Sequence, residues 1–491
     1  MAAATQKPAA AAPARRPTTG SRPVASPAKS PISYKFRDLT KESELFRMKT
    51  QSGTIINKGK FDNAQDKADF TEYYKTYVFG RWVNDAPPGK YKISAYEERL
   101  QRRATFERNA SMQKRLQKEA DSWNFAGFRD DFRKDLERSR DNGEPQNLAM
   151  KIAYDFAVEI ITSSNSRSTE TLKYNCMLLL GELYIRTSSS SQDKPVVCQP
   201  AFDFLLKNIS DPKTPQYLRV GAMLSIQKFL DKEISDKQKT DVYTVFLTLA
   251  KTKIDLAQYA NSKDDPTGAG AIWVRELAIK NLGLMAGVIP RNADTSKFYP
   301  GIESVTELYR VLNDANAPAT TRIAALDALG SFNFHKYSQI KTSQKFLKAV
   351  CDFVIEFTQA ELDRKVDPLV WGNENEMGAR MGGYSEEEPK NLEKDAAFLR
   401  QRVIPVLYAA KNALTGINAS KDWDGLTGMG TEEEKNKAKE INKGIQNSIK
   451  ILNAKITPEM LETTDGTIMT ELEKTISDIE SIQESFRQLS E

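Results

Sequence analysis

Histidine is nearly absent from this chain: His335 is the only one among 491 residues. That scarcity excludes multi-histidine metal centres and HExxH-type motifs, and it would force any Ser-His-Asp mechanism through a single imidazole. His335 falls just past a predicted helix end, a position that favours an imidazolium for structural reasons. Cysteine is scarce too. Cys176, Cys198 and Cys351 are far apart and form no CxxC pair, which removes a zinc ribbon or thioredoxin-type site and leaves at most one disulfide open. No run approaches the roughly 20 apolar residues that span a bilayer. The N-terminus has no apolar h-region, so it is not an intact signal peptide; a processed end and a native tail both fit. GxxxxGK[ST], GxGxxG and GxSxG are missing as well. The carboxylate pairs Asp130-Asp131 and Asp264-Asp265 lie in polar surroundings, and Gly268-Ala-Gly270 reads as a loop. No catalytic residue, cofactor or metal ligand is expected, and the chain reads as non-enzymatic.

What is present begins with charge. The net +5 is concentrated at one end: Lys7, Arg15, Arg16, Arg22, Lys29, Lys35 and Arg37 precede the first acid, and setting these seven cations aside leaves −2 for the rest. Residues 1–36 are Ala/Pro-rich and basic, a composition that does not bury enough surface to fold. The expectation is a disordered tail, with an anionic surface as its natural partner. Residues 37–145 form an N-terminal helical region. It carries an aromatic stripe of Phe70, Tyr73, Tyr74, Tyr77, Val78 and Phe79, and a charged helical stretch over 95–140. Both have helical spacing.

From 146 to 416 the pattern changes to pairs of helices. Four segments align on a basic residue: Lys173-Tyr-Asn-Cys-Met-Leu-Leu-Leu-Gly181, Arg219-Val-Gly-Ala-Met-Leu-Ser-Ile-Gln227, Arg275-Glu-Leu-Ala-Ile-Lys-Asn-Leu-Gly283 and Arg322-Ile-Ala-Ala-Leu-Asp-Ala-Leu-Gly330. Three residues on stands a small side chain (Cys176, Ala222, Ala278, Ala325). Four on stands a large one, and seven on stand Leu180, Ile226, Leu282 and Leu329. Those positions share one helical face, where small beside large admits a close neighbour. The bases are 46, 56 and 47 residues apart, the period of a two-helix repeat. Lys173, Arg219, Arg275 and Arg322 are therefore expected at equivalent helix starts, each paired with a nearby carboxylate or carbonyl. Amphipathic predecessors are expected at 147–163, 198–209, 239–258, 301–313 and 342–364, with a fifth partner helix at 395–415 and no competing strand pattern. The fold class is all-α, an α-α solenoid.

The basic-x-x-small-large motif resembles the second helix of HEAT repeats, an armadillo-like architecture. Leu172-Lys-Tyr-Asn-Cys-Met-Leu-Leu-Leu-Gly-Glu-Leu183 resembles a group of uncharacterised HEAT-like proteins abundant in planctomycete bacteria. The likeness extends to Phe70-Thr-Glu-Tyr-Tyr74 and to Met377-Gly-Ala-Arg-Met-Gly-Gly383, and covers roughly residues 65–416. It implies the repeat fold and, for many members, export to the periplasm or envelope; it transfers no catalytic residue. Gln227 stands where the other repeats have glycine.

An insertion over 366–394 interrupts the repeats. Its Trp371, Met377, Met381 and Tyr384 are candidate partner-binding residues, since adaptable apolar groups suit interfaces. Residues 417–491 hold a helical pair, with Ile441, Ile445, Ile449 and Leu452 on one stripe and Ile479, Ile482 and Phe486 on the other. The second stripe also includes Ile468, Leu472 and Leu489, and the two stripes fit a hairpin capping the repeats, or a homo-oligomer through the last helix. The function expected is a protein–protein interaction scaffold binding a protein or peptide on the concave face, within a larger cell-envelope assembly. A nucleic-acid-binding HEAT-type protein and an enzyme or modification-assisting HEAT-like protein are the alternatives.

Overall fold

The computed structural model describes residues 42–83, 125–138, 143–165, 168–185, 195–230, 232, 234–255, 267–288, 301–332, 334, 343–365, 388–417, 425–462 and 468–490. Tail residues 1–36 and His335 lie outside them. Every long element described is a helix, so the fold is all-α.

Two helices open the N-terminal region, α1 (Glu42–Lys58) and α2 (Ala64–Tyr73). Gly59 ends α1 with φ 71°, the left-handed geometry that lets its N–H return to Ile55 O at 3.1 Å. Asn63 starts α2 by accepting from Asp66 N at 2.9 Å. The aromatic stripe does not stay α-helical as its spacing predicts. Tyr74–Val78 is a π turn, closed by Phe79 N–H on Tyr74 O at 2.9 Å, and Gly80–Trp82 is a 3-10 turn. The extra residue in the π turn widens the inward face, so Tyr73, Tyr74, Tyr77, Val78 and Phe79 are all buried together. Helix α3 (Phe125–Arg138) supplies Phe128 and Phe132 to the same core.

Five hairpins follow: α4 (Glu144–Thr162) with α5 (Glu170–Leu180), α6 (Gln199–Ser210) with α7 (Gln216–Phe229), α8 (Asp236–Lys251) with α9 (Ala269–Val288), α10 (Ile302–Leu312) with α11 (Ala319–Leu329), and α12 (Gln344–Lys365) with α13 (Glu388–Thr415). The expected helix over 239–258 ends at Lys251, and the insertion expected to reach 394 gives way to α13 at Glu388. The second helices pack side by side in chain order, α5 on α7, α7 on α9, α9 on α11 and α11 on α13. Leu180, Ile226, Leu282 and Leu329 are buried between the layers. Within this all-α fold, Tyr184–Ile185 (β1) pairs antiparallel with Val196–Val197 (β2), a short ribbon tying the loop between α5 and α6.

Glycine sets how closely the second helices approach. A Cβ on Gly181 would lie 2.7 Å from Ser225 Cβ, and one on Gly283 would lie 3.0 Å from Ala328 Cα. On Gly330 it would run into the Asn412 carbonyl of α13. In each of the first two contacts the residue eight past the base meets the residue six past the next base.

Beyond α13 come a 3-10 turn (Gly425–Gly428), α14 (Glu432–Asn453), the single turn α15 (Pro458–Leu461) and α16 (Glu471–Ser490). Helix α14 lies on α13, while α16 lies on α12, α13 and α14. Gln483 Nε2 donates to Thr358 Oγ1 at 3.1 Å, and Arg400 Nε to Thr475 Oγ1 at 3.0 Å. The apolar stripe of the last helix is thus covered by its own chain, with Leu472, Ile479, Ile482 and Phe486 buried, whereas Ile468, expected on the same stripe, precedes the helix and is exposed. Among the described residues no helix is long and apolar enough to cross a membrane.

Candidate interaction groove

The aligned bases act on helix ends. Arg219 Nε donates to Ile209 O at 3.2 Å, Arg275 Nε to Ala250 O at 3.1 Å and Arg322 Nε to Leu312 O at 2.8 Å. Each acceptor lies in the last turn of the preceding helix, whose carbonyls have no intrahelical partner. A guanidinium there satisfies one of them and complements the negative end of the dipole. Arg322 also forks onto Glu356 at 2.6 and 2.8 Å and holds that carboxyl below its ordinary value. Arg275 has no such carboxylate: its Nη2 is buried without a partner among the described residues, and burial lowers its pKa. Lys173 departs from the set. It is half-buried, and in the last turn of α4 a different group serves a carbonyl: Ser168 Oγ donates to Ile160 O.

Two of the turns repeat as well. Asp211 accepts from Lys213 N through Oδ1 (2.9 Å) and from Thr214 N through its carbonyl (3.1 Å). Asp314 does the same to Asn316 N (3.1 Å) and Ala317 N (2.9 Å). Each turn runs Asp-x-x-x-Pro-x-x-x-Arg, through Pro215 to Arg219 and through Pro318 to Arg322. This signal was present in the sequence and went beyond the alignment on the bases.

Between the second helices α5 and α7 lies an open groove of about 580 Å³. Leu178 and Leu224, both five past their bases, line it beside Gly181 and Gln227. Its rim is polar. Lys228 pairs with Glu182 from the neighbouring hairpin, and Lys232 Nζ sits 5.0 Å from the centre of the Tyr184 ring. Tyr184 OH donates to Glu137 Oε1 of α3 at 3.3 Å, an oxygen that also accepts from Arg133 at 2.9 Å. Burial, then Glu137, pushes the Tyr184 phenol up. Glu182 and Lys228 both stand nine past a base, so opposite charges in one register were legible; their convergence on a groove was not. Leu284, nine past Arg275, and Trp273, two before it, extend the surface onto α9 as exposed apolar side chains, Trp273 at 48 %.

Among the described residues, none that lines the groove offers an imidazole, thiol or serine hydroxyl. The three cysteines are free. Burial raises Cys176 and Cys198 and pushes Cys351 up to about 12, so none is poised as a thiolate near neutral pH. Among the described residues no group of three or more His, Cys, Asp or Glu is placed to hold a metal ion. Trp371, Met377, Met381 and Tyr384 lie outside the described residues. No protein-family model, curated protein or solved structure matches this chain.

Proposed function

We propose that this chain is a HEAT-like α-solenoid serving as a non-catalytic protein–protein interaction scaffold, with an extended protein segment bound along its second helices. The observation that carries the reading is the groove between α5 and α7, apolar at Leu178 and Leu224 and rimmed by cross-hairpin charge. Such a surface suits a segment that places an apolar side chain in the groove and polar backbone against the rim. Stacked hairpins lengthen the surface without adding chemistry, the mode by which repeat arrays bind. Exposed Leu284 and Trp273 supply further apolar anchors along the same direction.

A photo-crosslinking amino acid at Leu284 tests this in the full chain within its source cells, with the same substitution at exposed Thr248 on α8 as the comparison. The expected result is one discrete protein adduct from position 284, lost when Leu224→Asp is added and absent from position 248. No adduct at 284, or the same adducts from both positions, would overturn the scaffold reading.

A further inference from the structure

The crossing of α7 with α9 departs from its neighbours in the two residues that set how closely helices approach. Eight past one base meets six past the next: Gly181 on Ser225 between α5 and α7, and Gly283 on Ala328 between α9 and α11. The same register brings Gln227 to Asn281 between α7 and α9. Two amides therefore stand where the flanking crossings have glycine against a small side chain.

The flanking crossings are also tied by directional bonds. Ser225 Oγ of α7 donates to Met177 O of α5 at 2.8 Å. Thr321 Oγ1 of α11 donates to Glu276 Oε1 of α9 at 3.2 Å, and Asn412 Nδ2 of α13 to Asp327 Oδ1 of α11 at 2.8 Å. Asn281 holds the register position of Ser225 and is fully buried, yet neither its Oδ1 nor its Nδ2 has a partner among the described residues. A buried amide in that state carries a desolvation cost, which water removes once the helices part. Helices α7 and α9 share the apolar core, with Ile226 and Leu282 fully buried, and apolar contact is non-directional, so helices slide on it. On the first-helix side the same two hairpins are joined by Gln238 Nε2 on Gln199 Oε1 at 2.9 Å, and Gln238 Oε1 is itself fixed by Ser235 N at 2.7 Å. That side is a pivot.

We infer that the α7–α9 crossing is a flexure built into the array: the hairpins of α4–α7 and those of α8–α13 bend relative to one another about the α6–α8 contact, and Asn281 is hydrated in the open form. Gln227 also lines the groove between α5 and α7, so bending moves that wall whatever the groove holds.

The test places pairs of spin-labelled unnatural amino acids at exposed positions of the full chain and reads their distance distributions by pulsed electron resonance. Glu170 with Ala269 spans the α5–α7 and α7–α9 crossings; Ala269 with Gln401 spans α9–α11 and α11–α13. The first pair is expected to show a longer population beside the main one, and the second pair a single narrow distribution. Gln227→Gly/Asn281→Ala restores the residue types of the Gly283–Ala328 contact and is expected to abolish the longer population with far-UV circular dichroism unchanged. Asn281→Ala alone is expected to diminish it. Equal widths for the two pairs without these substitutions, or a longer population undiminished in Asn281→Ala, would overturn the inference.

Discussion

The N-terminal region and the hairpin array solve the same packing problem with opposite materials. In the first, large rings meet: Phe79 lies 5.2 Å from Phe132 and 5.0 Å from Phe156, and Trp82 lies 5.8 Å from Phe156. In the second, Ala222, Ala278 and Ala325 are fully buried, and glycines let one helix backbone touch the next. Rings bury much area but demand irregular backbone to bring several inward, hence the π and 3-10 turns around Tyr74–Trp82. Small residues bury little each but keep the helices regular, so the same contact is repeated from hairpin to hairpin. Stability in one region is local to a ring cluster. In the other it is distributed over neighbouring interfaces.

The largest expected effect separates the two regions. Phe79→Ala removes the ring that touches Tyr74, Trp82, Phe132 and Phe156, at a cost of about 3–5 kcal/mol. Hydrogen exchange is expected to rise over residues 42–162 while α9 to α13 keep their protection. Leu282→Ala, at about 2–5 kcal/mol, is expected to open α7 to α11 instead. Equal loss of protection throughout the molecule in both variants would mean one cooperative unit and would break the comparison.

Glycine sharpens it. Gly330→Ala pushes a methyl into the Asn412 carbonyl and is expected to cost about 1–3 kcal/mol. Gly53→Ala, inside α1 with nothing within 4 Å of the new Cβ, is expected to stabilise by about 0.5–1 kcal/mol. Urea midpoints moving in opposite directions would confirm that close approach belongs to the array; a neutral Gly330→Ala would show that α11 and α13 shift apart freely.

The array was more legible than the region before it, for a physical reason. A base, a small residue and a leucine recur at fixed offsets because each helix end presents the same unsatisfied carbonyl and each interface the same spacing. Arg219, Arg275 and Arg322 could therefore be aligned before their acceptors were known. Lys173 fitted the alignment equally well, yet in the last turn of α4 it is Ser168, brought within reach by the turn, that donates to a carbonyl. Periodicity over Phe70–Phe79 located a buried stripe but not the π turn, which arises from ring packing across α2, α3 and α4 rather than from local preference. The groove was hidden for a related reason: Leu178, Leu224, Glu182 and Lys228 lie far apart along the chain and meet only through stacking.

The smallest effect concerns how the array holds its arginines. Arg322 lowers the Glu356 carboxyl from its ordinary 4.5, so the folded state binds that proton less readily than the unfolded chain does. Stability from the pair is fully present above the ordinary value and disappears as pH falls through the depressed folded one. Glu356 is half exposed, which keeps the contribution below about 1 kcal/mol through solvent screening. The native chain and Glu356→Gln are expected to differ in urea midpoint at pH 7 and to converge once the pH falls below the depressed folded value. A gap that persists undiminished in acid would assign the effect to side-chain packing against α11. Arg275, with no carboxylate on its buried Nη2, predicts that the carbonyl cap alone sustains a hairpin. Convergence in acid without unfolding would show the same of Arg322, leaving the Nε–carbonyl bond as the contact common to Arg219, Arg275 and Arg322.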